Sequence, residues 1–437
     1  MLSSTKVAAV GATTIDEADK AYSKVAWRLL PFLFLCYVFA YLDRVNVGFA
    51  KLQMMSDLGL SEAVYGMGAG VFFAGYLLFE VPSNIVMLKV GARKWITRIM
   101  VTWGLISAGM MFVTSPTSFY VLRFLLGVAE AGFFPAILLY LTYWFPSGRR
   151  GKVTALFMTG IPMSGVIGGP LSGLIMGRME GVSSLHNWQW VFVLEAIPTI
   201  VLGCMAWFYL DDRVADAKWL NDSEKSLLQH DLSQDQQGKH LHSLRDGLVN
   251  PRVWLLSAIY LFYTMGLYGI SFWLPTIIKA SGVSSAFDIG MLTTIPYAAA
   301  TVTMILVGRS SDKRRERRWH LALAGVAGAV GLTWSAAYAD NTAVAMLALT
   351  LATMGIITTI SQFWLLPPAI LSGAAAAAGI AVANSVGSVS GMIAPYMLGV
   401  VKTVTHSTNA GVIAIACCLL VGCLLTFALP AKAVNHT

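Results

Sequence analysis

Four charged residues stand within otherwise apolar stretches of the sequence, and they are the first candidates for chemistry. Asp43 and Arg44 are neighbours, and Arg123 precedes Glu130 by seven residues. An ionisable group at the centre of a bilayer costs about 2.5–3.5 kcal/mol on insertion scales, so such groups should pair or face water. A guanidinium binds a carboxylate through two parallel hydrogen bonds, and a carboxylate in a low dielectric favours its protonated form. These residues therefore predict a charged cavity that binds an anion and carries a proton.

Helical spacing groups these charges with other side chains. Each group forms a stripe on one helix face, and the glycine between the second pair of charges leaves room for a backbone or a ligand. The stripes are Tyr37, Tyr41, Arg44 and Gly48 in one helix, and Arg123, Gly127 and Glu130 in another. A structural alternative is a set of ion pairs that lock helices together. One pair would be enough for that purpose and the sequence offers two, which favours the cavity.

Composition indicates the medium in which these charges lie. Apolar and aromatic residues make up 57% of the 437-residue chain, charged residues only 12%, and the mean hydropathy is +0.68. A water-soluble protein is about 25% charged, so this chain must lie mostly in lipid. We found no nucleotide-phosphate loop, no metalloprotease or serine-hydrolase motif, and no metal or redox spacing among the five cysteines. The sequence therefore predicts no enzyme, no cofactor and no metal site.

Twelve apolar runs are long enough to cross a bilayer, which takes about 20 helical residues. Their predicted limits are 28–50, 64–87, 95–114, 118–143, 153–177, 188–210, 252–278, 286–308, 319–339, 342–366, 376–401 and 411–430. We therefore expect an all-α integral membrane protein. Its predicted parts are an N-terminal tail (1–27), two six-helix bundles (28–210 and 252–430), a linker (211–251) and a C-terminal tail (431–437). Within the linker, Trp219, Leu220 and residues 223–232 predict a short amphipathic helix at the inner surface.

Positive charge is concentrated on one side of these spans. Of the 30 Lys and Arg residues, 24 fall in the two tails and the even-numbered loops, and four fall on the opposite face. Since cytoplasmic loops retain positive charge, both termini are expected to be cytoplasmic. The formal charge of +8 is then explained by topology and does not indicate nucleic acid as a partner.

The two halves of the chain resemble each other at one offset. Arg93-Lys94-Trp95 and Arg317-Arg318-Trp319 are 224 residues apart, and residues 164–168 compare with 390–394 at an offset of 226. With six spans per half, the second half enters the membrane in the same sense as the first. This pattern is typical of transporters built from two parallel repeats.

The motifs resemble the major facilitator superfamily. Residues 308–315, with Gly308, Asp312 and Arg314, are similar to its loop signature of a glycine, an acid and clustered arginines. The counterpart that contains Arg93 lacks the acid, as in the anion:cation symporters. Residues 41–50, 82–84, 91–93 and 127–132 are similar to the tartrate, phthalate and 4-hydroxyphenylacetate permeases of that branch.

This resemblance implies residue roles. It implies that Arg44 contacts a substrate carboxylate, that Glu130 and Asp43 carry protons, and that Arg123 partners these acids. It also implies that the cavity is lined by Tyr41, Tyr76, Trp364, Asn384 and Ser388.

The predicted function is import of a small organic anion, such as tartrate, another hydroxy-acid or an aromatic acid, by proton symport across the inner membrane. We expect a monomer whose partners are the substrate, the proton and the lipid bilayer. Residues 165–173 are similar to a motif of antiporters, so exchange remains an alternative. A membrane sensor that binds the ligand without moving it is a second one.

Overall fold

The computed structural model describes residues 2–237, 250–370 and 373–435, and the regular structure of this part is helical throughout. The helices are Leu2–Val45, Val47–Leu58, Glu62–Val90, Ala92–Gly109, Pro116–Glu130, Phe133–Thr142, Ser147–Met158, Gly160–Arg178, Asn187–Tyr209, Asp222–Gln237, Pro251–Ala280, Ala286–Arg314, Arg318–Ala337, Thr342–Phe363, Leu366–Ile370, Gly373–Thr405, Thr408–Phe427 and Ala431–Val434. Short 3₁₀ turns lie at Met110–Phe112 and Val214–Asp216.

Eleven helical segments of the described chain are long and apolar enough to cross a membrane. They are Glu17–Leu58, Glu62–Val90, Ala92–Phe112, Pro116–Thr142, Ser147–Arg178, Asn187–Tyr209, Pro251–Ala280, Ala286–Arg314, Arg318–Ala337, Thr342–Phe363 and Thr408–Phe427. The 33-residue helix Gly373–Thr405 occupies the position of the predicted eleventh span. We number these twelve segments as spans 1 to 12 in chain order.

Every predicted span overlaps one of these helices, and the largest difference is at the N-terminus. The prediction began span 1 at residue 28, whereas the helix begins at Leu2. Apolarity marks only the part of a helix that lies in lipid. The polar extension lies outside that part and contacts the linker helix instead. Tyr22 and Lys24 in this extension bond to Asp231 and Glu224 of the linker helix Asp222–Gln237.

Three spans are interrupted, and two of the interruptions adjoin the predicted charges. Span 1 breaks at Asn46, two residues after Arg44, and span 4 breaks at Ala131 and Gly132, immediately after Glu130. Gly132 has a φ of +85°, a conformation that favours glycine. Broken helices in membranes are tolerated where the backbone is enclosed by protein or lines a cavity.

Spans 1–6 form one half of the molecule and spans 7–12 the other. We call the face that carries the linker between spans 6 and 7 the linker side, and the opposite face the far side. The halves approach most closely on the far side, where span 5 packs on span 8 and span 2 on span 11. Small residues permit this contact: a Cβ on Gly173 would lie 2.9 Å from the Cα of Gly290, and one on Gly70 would lie 2.7 Å from the carbonyl oxygen of Met392.

A charged cluster joins the halves at this far side. The carboxylate of Glu62 in span 2 binds Lys51 of span 1 at 2.7 Å and Lys402 of span 11 at 2.5 Å. The Lys51 ammonium also lies 3.3 Å from the ring centroid of Trp273 in span 7, a cation–π contact. One carboxylate therefore holds a lysine from each half.

On the linker side, matching hydrogen bonds in the two halves reflect the internal repeat. Asp212 follows span 6 and accepts a bond from the backbone N–H of Arg93 at the start of span 3 (2.9 Å). Asn435 follows span 12 and accepts one from the N–H of Arg317 at the start of span 9 (3.0 Å). The donors are 224 residues apart and the acceptors 223. The repeat that the sequence indicated therefore extends to how helix ends are capped.

The predicted linker helix is present as Asp222–Gln237. It starts with reciprocal bonds between Asn221 and Glu224, a capping box that satisfies backbone donors at the helix start. Its Leu228 is fully buried, and its Glu224 pairs with Lys24 at 2.9 Å. Residues 238–249 of the linker lie outside the described chain.

Candidate functional site

A central cavity lies between the two halves. Aromatic side chains form most of the wall, and Arg44 is the charged residue among the lining residues. These are Tyr37, Tyr41, Arg44, Phe73, Tyr76, Phe134, Met158, Ile161, Tyr260, Leu267, Tyr268, Asn384 and Ser388.

Arg44 forms an ion pair with Glu130 across the broken regions of spans 1 and 4. The Arg44 side chain is 10% exposed and that of Glu130 only 1%. The guanidinium carbon also lies within 6 Å of four aromatic ring centroids, those of Tyr41, Phe72, Phe73 and Tyr76. A guanidinium thus lies at the wall of the cavity and is paired with a buried carboxylate.

Arg123 is fully buried, and its hydrogen bonds go to the backbone. Its guanidinium donates to the carbonyl oxygens of Gly68 (3.2 Å), Ala69 (3.4 Å) and Arg44 (3.5 Å). We expected Arg123 to partner the acids, but in this conformation Glu130 is paired with Arg44. Arg123 instead ties span 4 to span 2 and to the carbonyl of Arg44.

Asp43 lies inside the N-terminal half, and its side chain bonds to spans 3 and 6. Its Oδ2 accepts a bond from the indole N–H of Trp103 (2.8 Å) and another from the hydroxyl of Thr199 (2.7 Å). It is 1% exposed and is not among the residues that line the central cavity. Adjacent in sequence, Asp43 and Arg44 therefore lie in different environments.

The second half contributes an amide and a hydroxyl to the cavity. Asn384 of span 11 donates a 2.7 Å bond to Glu80 of span 2, so this bond joins the two halves. Ser388, one turn later, donates to the carbonyl oxygen of Asn384 (3.0 Å). Glu80 is not itself one of the residues that line the cavity, and it was not among the site residues that the sequence predicted.

The predicted aromatic residues divide into two groups. Tyr41 and Tyr76 line the cavity, and the Tyr41 hydroxyl is 2.9 Å from the hydroxyl of Ser271 in span 7. Trp364 is not one of the lining residues; its ring packs edge-on against Tyr260 at 4.9 Å. Tyr260 and Tyr268 also line the cavity, although the sequence analysis did not predict them as site residues. Their eight-residue spacing, which places them near one face of the same helix, is the sequence signal that could have identified them.

The loop-motif residues lie at the linker side. Asp312 and Arg314 are exposed in the last turn of span 8, and neither forms an ion pair with a described residue. Gly308 lies in the same helix, next to the side chain of Gln362. Nearby, partial burial raises the pKa of Glu316, but hydrogen bonds from Trp319 and His320 outweigh it and hold that pKa below its usual value. No group of three or more potential metal ligands occurs within residues 2–237, 250–370 and 373–435.

The sequence pattern of the Major Facilitator Superfamily matches residues 33–395, which is most of the chain. The protein belongs to this superfamily. It is thus a multi-pass membrane transporter and not an enzyme.

Three relatives resemble the chain over nearly its full length. The protein NicT of Pseudomonas putida, provisionally named a metabolite transport protein, is 50% identical and covers 97% of each chain. A protein of Agrobacterium vitis, provisionally named a tartrate transporter, is 46% identical over 96% of this chain and 93% of its own. The quinolone resistance transporter of Acinetobacter baumannii is 42% identical over 93% and 94%.

Solved structures agree in fold. A bacterial homologue of the human lysosomal transporter Spinster, in an inward-facing and unoccupied conformation, superposes with a TM-score of 0.76 at 16% identity. The match covers 94% of this chain and 98% of that one. The predicted all-α fold of two parallel six-helix repeats is confirmed. The relatives also support the anion:cation symporter branch that the motifs indicated.

Proposed function

We propose that the protein imports a small organic carboxylate together with protons, by alternating access. It works as a monomer in a bacterial inner membrane with both termini in the cytoplasm. In this orientation the linker side is cytoplasmic. Because the two halves of the protein approach most closely on the far side, this conformation is inward-facing.

The observation that carries the proposal is the Arg44–Glu130 ion pair at the wall of the central cavity. A substrate carboxylate that enters the cavity competes with Glu130 for the same guanidinium. Once displaced, Glu130 is a fully buried carboxylate without its cation, which favours its protonated form. Binding of an anion is thereby linked to uptake of a proton.

The charge balance inside spans 1–6 supports proton coupling. Apart from Lys51, which pairs with Glu62 on the far side, four buried acids face two buried arginines, so two of these acids have no cation to match them unless they hold protons. The acids are Asp43, Glu80, Glu130 and Glu195, and the arginines are Arg44 and Arg123.

The proposed cycle follows from this balance. From the far side, the anion binds Arg44 while a proton neutralises Glu130, and the neutralised cavity closes and reopens to the linker side. There Glu130 loses its proton and again competes for Arg44, which ejects the substrate. One charge change thus favours each of the two conformations in turn.

Two observations support the substrate class. The names of two relatives refer to metabolite and tartrate transport, which supports an organic anion. The cavity wall carries seven aromatic side chains from both halves, which suit a planar acid. Hydroxy-acids remain the alternative, and direct competition between benzoate and L-tartrate distinguishes the two.

Reconstituted protein tests the proposal. Liposomes with an alkaline interior should accumulate labelled 4-hydroxybenzoate or L-tartrate, and dissipating the gradient should stop accumulation. Glu130→Gln should abolish gradient-driven accumulation and retain exchange of labelled for unlabelled acid, because glutamine mimics only the protonated state. Glu180→Gln, which alters an exposed far-side residue, is the matched control. Normal accumulation by the Glu130 variant would refute its proton role.

Exchange is the second candidate function. The glycine-rich residues 165–173, similar to an antiporter motif, pack against span 8, and one relative is named for quinolone resistance. If uptake by the wild-type protein requires substrate inside the liposome, the protein is an exchanger. A sensor would bind the acid and show no flux, whether or not the liposome contains substrate.

A further inference from the structure

A second group of buried acids lies inside the N-terminal half, apart from the Arg44–Glu130 pair. Glu195 in span 6 has no exposed surface, and its Oε1 accepts a 2.6 Å bond from the hydroxyl of Ser172 in span 5. It lies one helical turn before Thr199, which bonds to Asp43. The charges of Glu195 and Asp43 are close enough to interact, and Asp43 in turn interacts with Glu130. Three carboxylates therefore form a series that ends at the substrate arginine.

This pair of acids has no positive partner. Neither Asp43 nor Glu195 forms an ion pair with any residue in the described ranges, and Asp43 is the ionisable group that interacts with Glu195 there. Asp43 Oδ1 and Glu195 Oε2 are both buried without a hydrogen-bond partner among those residues. Around them, spans 1, 3 and 5 present the uncharged side chains of Asn46, Ser107 and Ser172.

Two neighbouring anions in this environment are unfavourable. An ionised carboxylate buried without a counter-charge is costly in lipid, and the repulsion between two of them adds to this cost. A single proton shared by the pair removes one charge and converts an unpartnered oxygen into a donor. Such pairs titrate together as one unit.

A side cavity gives this proton a way out. Its lining includes Asn46 and Ser172, and it shares Tyr41 with the central cavity. The hydroxyl of Ser172 thus lies between Glu195 and a space at the interface of the halves.

We propose that Asp43 and Glu195 share one proton, and that Glu195 exchanges it with the side cavity through Ser172. Glu195 then takes part in proton coupling without contacting the substrate. The inference rests on the proposed symport and deepens it, since it adds a proton site remote from the substrate carboxylate.

The test is the number of protons moved per substrate. Purified full-length protein in liposomes is studied with labelled 4-hydroxybenzoate, and with L-tartrate as a second probe, at a series of set pH gradients and membrane potentials. Glu195→Gln should move one proton fewer per substrate than wild type, because Asp43 then has no neighbouring acid charge that favours its protonation. Glu195→Asp should restore the wild-type number, and Glu180→Gln should leave it unchanged. An unchanged number in Glu195→Gln would overturn the proposal.

Two further measurements keep the result interpretable. Retained substrate exchange shows that Glu195→Gln is folded, and Asp43→Asn with Glu195→Gln should lose no more protons than Glu195→Gln alone. If Glu195→Gln does not fold, infrared titration of the wild type and Ser172→Ala decides: a protonated-carboxyl carbonyl band should be present in the wild type and shift in frequency in Ser172→Ala. Absence of the band, or a band insensitive to Ser172, would refute the pair.

The experiments distinguish failure of the shared-proton proposal from failure of the proposed symport. If the wild-type protein accumulates no acid, symport is wrong, while the infrared band still reports on the Asp43–Glu195 pair. If the wild type accumulates acid but its proton number does not depend on Glu195, symport stands and the shared proton does not.

Discussion

At the scale of single residues, the position of Arg44 combines three properties that a carboxylate site needs. Its side chain reaches the cavity, it is largely removed from solvent, and aromatic rings lie around its guanidinium. Arg123 has no comparable access, because it is fully buried and bonded to three backbone carbonyls. The two arginines of the N-terminal half are therefore not interchangeable.

Arg44→Lys should weaken substrate binding while leaving the ion pair with Glu130 possible. An ammonium cannot form the two parallel hydrogen bonds that a guanidinium offers to a carboxylate. Losing one charge-assisted bond of about 1.5–3 kcal/mol raises the apparent KM for uptake roughly ten- to hundredfold. The exposed far-side Arg178→Lys is the matched control. A wild-type KM in Arg44→Lys would place the carboxylate site elsewhere, with Arg123 the next candidate.

At the scale of helices, close backbone contact holds the charged stripes in position. Gly127 lies between Arg123 and Glu130 in span 4, and a Cβ there would overlap the carbonyl oxygen of Phe72 in span 2. The sequence left open whether a backbone or a ligand approaches this glycine, and the structure places a backbone there. The same contact lets Arg123 reach the carbonyls of Gly68 and Ala69.

Gly127→Ala should destabilise the protein, because span 2 has to move to accept the methyl group. Overpacking of this kind costs about 1–3 kcal/mol. We expect a lower melting temperature in detergent, measured by tryptophan fluorescence, and weaker uptake. Gly148→Ala is the control, since nothing lies within 4 Å of a Cβ at that helical position. Equal melting temperatures for the two variants would contradict the close packing of spans 2 and 4.

At the scale of the whole molecule, one carboxylate contributes to the contact between the halves on the far side. Glu62 binds Lys51 from its own half and Lys402 from the other, and the side chain of Lys51 is only 3% exposed. Alternating access requires this contact to separate. Without the carboxylate, two ammonium groups would face each other in the closed state.

Glu62→Gln should therefore shift the molecule toward a state open on the far side. Losing the partner of a mostly buried charge is worth at least about 1.4 kcal/mol, which is tenfold in the equilibrium. Spin labels attached to cysteines that replace the exposed residues Ser184 and Ser284 would report the opening. The distance between the labels, measured by double electron–electron resonance, should increase.

Glu180→Gln in the same labelled background controls for a general change in surface charge. Unchanged distances in Glu62→Gln would mean that the glycine contacts between spans 5 and 8 suffice to hold the far side closed.

Much of the fold was predictable because the bilayer acts locally on the chain. Each span must be apolar over about 20 residues, so a stretch of sequence carries its own evidence of crossing the membrane. The polar start of helix Leu2–Val45 was missed for the same reason, since apolarity does not mark a helix outside lipid. The loop that contains Arg93 lacks the acid of the family signature. In the structure, Asp212, which is 119 residues away, accepts a hydrogen bond from the Arg93 backbone, and the loop sequence alone does not indicate this contact.

The sequence by itself determined the number of spans, the repeat and the few charges placed in lipid, because length, apolarity and charge are properties of short segments. Only the tertiary structure decided which groups meet: Arg44 with Glu130, Asn384 with Glu80, and Thr199 with Asp43. These partners are 86, 304 and 156 residues apart. Their contacts depend on how each helix is rotated and packed, which hydropathy does not encode. The separation of Asp43 from Arg44, its neighbour in sequence, follows from that packing.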